Sequence, residues 1–148
     1  MEDHARVVVI GAGIVGCSVA YHLTDLGWQD IVVVDQGPLF ETGGSTSHAP
    51  GIVFSVNFSK VMSEFAKYTG ELYGDLQHDG QSCYYRVGGL EVAWTPERWE
   101  DLKRKSAAGR LWGLEVELLG RDEARAMAPL LSDRILGAMH SPADGVTK

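Results

Sequence analysis

Two short apolar runs bracketing a glycine turn leave this chain few folds to choose from. The first covers residues 5–10 and leads into Gly11-Ala12-Gly13-Ile14-Val15-Gly16; the second covers 31–34 and ends in Asp35. An alternating strand has one wet face, whereas a continuous Val/Ile run suits a strand covered on both faces, as in a parallel sheet. Between the runs Ile14, Val15, Cys17, Val19, Ala20, Leu23 and Leu26 recur at helical spacing. Gly27 stands where a left-handed C-terminal cap belongs. Strand at 5–10, helix at 14–26 and strand at 31–35 make a βαβ unit with a right-handed crossover.

A Gly-x-Gly-x-x-Gly turn alone says little, but here a strand precedes it, a helix follows and an acid closes the next strand. Gly11 permits the tight turn, Gly13 lets backbone approach a pyrophosphate, and Gly16 lets the helix pack close to the strand. The anion would rest on free N–H groups at the positive end of the helix dipole. Asp35 falls a little beyond the roughly twenty residues at which an acid binds a ribose hydroxyl, and it disfavours a 2′-phosphate. These residues touch only the adenosine diphosphate half, so they do not separate FAD from NAD.

A loop is expected from Gln36 to Asn57, long enough to suggest function. A helix is expected over 59–78, with Val61, Met62, Phe65, Tyr68, Leu72, Tyr73 and Leu76 on its buried side. Strands follow near 83–86 and 88–94, with Gly88-Gly89 as a bend. Thr95-Pro96 begins a helix over 96–108. A strand at 114–119, a helix at 121–127 stopped by Pro129, and a strand at 135–140 complete the pattern. Trp94, Trp99, Trp112 and Tyr84-Tyr85 are expected in the core or at an interface. Lys103, Arg104 and Lys105 read as a solvated helix face.

Within the long loop, Ser45, Thr46 and Ser47 offer three hydroxyls beside glycines and can line a polar cofactor. His48 follows. It can be a solvated loop histidine, a general base near neutrality, or a nucleophile that bonds to the methyl carbon of a flavin ring. Spacing does not choose among the three.

The net charge of −7 argues against nucleic acid or an anionic membrane as partner. With 45% hydrophobic and 22% charged residues the chain reads as globular. No apolar stretch approaches a membrane span. The acidic start, Met1-Glu2-Asp3-His4, is unlike a secretory signal, and Cys17 and Cys83 lie far apart; the expectation is a reduced, cytoplasmic setting. His78 and His140 lack partners at metal spacing, so no metal site is expected.

The run from Asp35 through Gly43-Gly44-Ser45-Thr46-Ser47-His48-Ala49-Pro50-Gly51 resembles the dimethylglycine oxidases and the related dimethylglycine and sarcosine dehydrogenases. Residues 63–69, 87–93 and 101–105 are also similar. Gly-Ser-Thr-x-His-Ala is the most specific part. The resemblance implies that His48 carries FAD covalently, and that Ile14, Val15, Asp35, Gln36, Ser45, Thr46, Ser47 and Ile52 join Gly11, Gly13 and Gly16 in binding it. It implies oxidative demethylation of N,N-dimethylglycine, with hydride passing from the N-methyl group to the flavin. The substrate would be a small amine, and the acceptor oxygen or an electron-transfer protein. Catalytic residues, and any folate site, are expected beyond residue 148.

The expected fold is α/β. Residues 1–58 form a Rossmann-type FAD-binding βαβ segment with its flavin loop. Residues 59–148 form a helical connection and the beginning of an α+β substrate domain, incomplete as it stands. Two alternatives accompany the dimethylglycine reading: sarcosine dehydrogenase or another glycine-type amine oxidase, and a catalytically inactive nucleotide-binding fragment.

Overall fold

The computed structural model describes residues 4–38 and 43–147, and the chain forms two compact units, Met1–Pro50 and Gly51–Lys148. Of the loop expected over 36–57, residues 39–42 lie outside the described residues.

In the first unit β1 (Val7–Ile10) pairs in parallel with β2 (Ile31–Val34), and α1 (Ile14–Asp25) connects them. The helix ends in a full Schellman motif. Gly27 takes φ +82°, its N–H donates to the Thr24 carbonyl, and the Trp28 N–H donates to the Leu23 carbonyl. Helix and strand approach closely at Gly16, where a Cβ would lie 3.3 Å from the Val9 side chain. Val9 therefore faces α1. Val8 and Ile10 point the other way and are exposed, Ile10 at 87%. One helix shields one face of the pair only, so the apolar residues of the other face stay open among the described residues. The loop also holds a short helix, α2 (Ser45–His48).

The second unit carries two antiparallel sheets and a hairpin. The elements are β3 (Ile52–Val53), α3 (Lys60–Asp75), β4 (Gln77–His78), β5 (Gln81–Ser82), β6 (Tyr84–Tyr85), β7 (Gly89–Ala93), α4 (Pro96–Leu111), β8 (Glu117–Gly120), α5 (Arg121–Met127), β9 (Gly137–Ser141) and β10 (Gly145–Thr147). One sheet has the order β7-β9-β8, the other β3-β10-β6. In the first, Leu118 and Met139 form a cross-strand pair on the face that joins Val56, Ala93, Leu102 and Val116. Leu119 and Ala138, one residue along, form the pair that packs with Ala124 and Ile135. Period-two alternation thus feeds two cores, one against α4 and one against α5.

Thr95 caps α4: its side chain accepts the Arg98 N–H at 3.2 Å, with Pro96 at the first position. The helix outruns its expected end at 108. Gly109 stays inside it because a Cβ there would come within 3.2 Å of Val56. Gly113, at φ +78°, then closes it with the Leu114 N–H on the Gly109 carbonyl.

Several other expectations are corrected. The helix over 59–78 stops at Asp75, because Asp79 (φ 50°) and Gly80 (φ 73°) form a two-residue hairpin turn between β4 and β5. On that helix Val61, Met62, Phe65 and Tyr68 are exposed, and the buried positions are Ser63 and Gly70. The helix packs through its small residues. Strands expected at 114–119 and 135–140 run over Glu117–Gly120 and Gly137–Ser141. The chain after Asp144 is a strand, β10, pairing with both β3 and β6. Trp99 packs on the core, but Trp94 is exposed. Lys105 is not solvated: it is buried, paired with Glu91, and its ammonium lies 5.4 Å from the Phe58 ring centroid.

Candidate functional site

The first unit holds a cleft of about 460 Å³ lined by Ile10, Gly11, Gly13, Val34, Asp35, Gln36, Gly44, Ser45 and Thr46. It lies at the carboxyl ends of the two parallel strands, where open α/β sheets bind ligands. Gly11 takes φ +102°, open to glycine and strained for any other residue. A Cβ on Gly16 would lie 1.8 Å from the Gly11 carbonyl oxygen, so the turn admits glycine alone there. Gly13, the N-cap of α1, meets only Thr46 within 4 Å of its would-be Cβ.

Two backbone donors of the turn are already engaged. The Ala12 N–H donates to Asp35 Oδ2 at 2.7 Å, and the Ile14 N–H donates to Thr46 Oγ1 at 3.0 Å. The amides of Val15 and Gly16 have no acceptor among the described residues, since the first intrahelical bond runs from Cys17 to the Gly13 carbonyl. Paired free amides at a helix start, on backbone without a Cβ to keep an anion away, fit a dinucleotide pyrophosphate.

Asp35 does more than wait for a ribose. Oδ2 takes Ala12 and Oδ1 takes the Gly37 N–H at 3.0 Å, so the carboxylate braces the turn. The Ala12 amide, followed by the Gly37 amide, holds its carboxyl below the usual carboxylate range. Each oxygen keeps a further lone pair for a hydroxyl donor.

The loop hydroxyls divide their work. Ser45 and Thr46 line the cleft, and Thr46 caps α1 from 32 residues away. Ser47 turns back and donates its hydroxyl to the Gly44 carbonyl at 2.7 Å. His48 is exposed on the last turn of α2, and its Nδ1 lies 3.0 Å from the same carbonyl. A carbonyl only accepts, so Nδ1 carries the proton; in the neutral ring the lone pair then belongs to Nε2. Gly11, Gly13, Asp35, Gln36, Ser45 and Thr46 thus meet at one cleft, with Ile14, Val15 and Gly16 on the first turn of α1 and Ser47 and His48 on the adjoining turn. Ile52 belongs to the second unit, on β3, and is exposed. Gly44, the first residue of the Gly-Ser-Thr-x-His-Ala run, shapes this turn through its main chain. Its carbonyl accepts from the Ser47 N–H, the Ser47 hydroxyl and the His48 ring.

Comparison with known proteins gives the family. The FAD dependent oxidoreductase family matches residues 6–148. The chain belongs to that family. Among curated relatives, the mitochondrial pyruvate dehydrogenase phosphatase regulatory subunit of Mus musculus is 38% identical over 99% of the chain. The mitochondrial dimethylglycine dehydrogenase of Rattus norvegicus is 32% identical over 97%. Each alignment covers 17% of the relative, so the chain spans about a sixth of their length. The solved iminodiacetate oxidase from Chelativorans sp. BNC1 superposes with a TM-score of 0.71 at 29% identity, over 96% of this chain and 40% of that one. The expected α/β fold and the family resemblance both stand. Members of the FAD dependent oxidoreductase family with this sequence character include enzymes named for small amine substrates.

Proposed function

We propose that this chain supplies the FAD-gripping turn and the flavin loop of an amine oxidoreductase that demethylates N,N-dimethylglycine, with the flavin bonded to His48. One observation carries the reading: Thr46 ties the Gly44–His48 segment onto the first turn of α1, beside the free amides, while the Gly44 carbonyl orients the His48 ring. Gly13, Val15 and Gly16 would hold the diphosphate, Asp35 a ribose hydroxyl, and Gln36, Ser45 and Thr46 the polar edge of the cleft. Gly11, Ile14, Ser47 and Ile52 complete the proposed cofactor set. Bound FAD would supply the two-electron acceptor that an N-methyl C–H bond requires. His48 holds a proton on Nδ1 and leaves Nε2 as the atom available for a flavin bond.

The test is acid precipitation of the full-length protein. Yellow colour and flavin mass should stay with the pellet in the wild type and be released in His48→Ala. A colourless wild-type pellet would refute covalent attachment, and anaerobic bleaching of the flavin by dimethylglycine in preference to sarcosine tests the substrate.

The 38% identity with a phosphatase regulatory subunit favours a second reading, in which the same fold serves a regulatory protein. Flavin that no glycine-type amine reduces would favour it.

A further inference from the structure

Each peptide of the turn from Gly11 to Ile14 has a holder, and one of the holders is a thiol. The Gly11–Ala12 peptide is held by Asp35, whose Oδ2 accepts the Ala12 N–H at 2.7 Å. The Gly13–Ile14 peptide is held at both ends. Thr46 Oγ1 accepts the Ile14 N–H at 3.0 Å, and the Gly13 carbonyl accepts the Cys17 N–H at 2.9 Å. Between these two lies the Ala12–Gly13 peptide. Its partner among the described residues is the Cys17 side chain, whose Sγ donates to the Ala12 carbonyl at 3.3 Å. Cys17 thus holds two successive carbonyls, one through its amide and one through its thiol. The Gly13 N–H has no acceptor among the described residues.

The Ala12–Gly13 peptide is the one that most needs a holder. It leads into a residue without a Cβ, where a flip of the peptide plane meets little steric resistance. One orientation presents an N–H to the cleft; the other presents a carbonyl oxygen, which repels an anion. The peptide is trans, so its C=O and N–H point in opposite directions. With the Ala12 carbonyl drawn toward α1, the Gly13 N–H faces away from the helix, on a residue that lines the cleft. There it joins the free amides of Val15 and Gly16. All of these groups belong to the first unit.

We infer that Cys17 is a positioning residue for the cofactor: its thiol sets the Ala12–Gly13 peptide so that a third N–H meets the diphosphate of FAD. The inference rests on the proposed function, in which this turn grips that diphosphate. It adds a side chain that acts through the main chain and never touches the ligand.

The experiment uses the full-length protein carrying His48→Ala, so that FAD binds reversibly. This parent is compared with versions that also carry Cys17→Ala, Cys17→Val or Cys17→Ser. Alanine and valine cannot donate, and valine keeps the bulk; serine keeps a donor. Three quantities are read: FAD affinity by fluorescence quenching, the phosphorus NMR shifts of the bound diphosphate, and thermal unfolding of the apoprotein. Cys17→Ala and Cys17→Val should weaken FAD about three- to tenfold, the range for loss of one hydrogen bond, and move the phosphorus signals. Cys17→Ser should recover most of the affinity and the parent's phosphorus spectrum. The apoproteins should unfold at the parent's temperature. If Cys17→Ala does not fold, the valine and serine versions still decide. Parental affinity and phosphorus shifts in Cys17→Val would overturn the inference. So would a loss of affinity that follows a lowered unfolding temperature and that serine does not rescue, since Cys17 would then be merely structural. A parent that binds no FAD would refute the function proposed above, and this inference with it.

Discussion

Two of the sheets in this molecule solve opposite problems. The sheet of β7, β9 and β8 is covered on both faces, and its alternating residues fill two cores. The parallel pair β1–β2 packs α1 on one face and leaves Val8 and Ile10 bare on the other. In the second unit the residues are chosen by what they touch. In the first, the decisive ones are chosen by what they leave open: a turn without Cβ atoms, amides without acceptors, a cleft at the strand ends. A site can therefore be well specified where packing is thin.

Substitutions can break or sharpen that contrast. The largest effect is expected at Gly16→Ala, whose Cβ would strike the Gly11 carbonyl. It should cost about 3 kcal/mol of stability and abolish flavin binding, read by thermal unfolding and flavin content. Leu102→Ala, at a fully buried position, should destabilise by a comparable ~2–5 kcal/mol yet leave flavin binding intact in the protein that remains folded. Parallel losses of flavin in both variants would erase the distinction between the two regions.

Asp35 tests the first unit by pH. Its folded value lies below its unfolded one, so its contribution is fully present above the unfolded value and is lost as pH falls through the folded one. FAD affinity of the apoprotein, followed by fluorescence quenching, should hold level from neutrality down to the ordinary carboxylate range and drop only in stronger acid. Asp35→Asn should bind more weakly at neutral pH and lose that acid limb. The smallest effect belongs to Val8→Thr, on the exposed face of β1 and outside the cleft lining, expected to change stability by less than about 0.5 kcal/mol. A loss of several times that in chemical denaturation would show that the bare face of β1 is covered in the intact protein.

How much of this could be read from residues alone follows the same division. The βαβ unit was legible because unbroken apolar runs, helical spacing and three glycines agree with one another. The β4–β5 hairpin carried its own signal, Asp79-Gly80, but the apolar spacing of α3 masked it. Strands β3, β4, β5 and β6 have two residues each, too few for a period to register. Apolar spacing on α3 identified an apolar face without telling whether anything lies on it. Lys105 looked solvated because its partner, Glu91, sits on a different element. In the flavin loop the residue types were legible, whereas the turn that sets His48 was not, since it depends on a main-chain oxygen that every residue possesses.

That oxygen has a practical corollary. Gly44 has an ordinary φ of −79° and open space where a Cβ would go. Exchanging it for alanine removes nothing from the group on which three donors converge. A mutational scan of this loop would fall silent at the place where its shape is decided, and only replacing the peptide link itself, for instance by an ester, would reveal what holds the imidazole in its orientation.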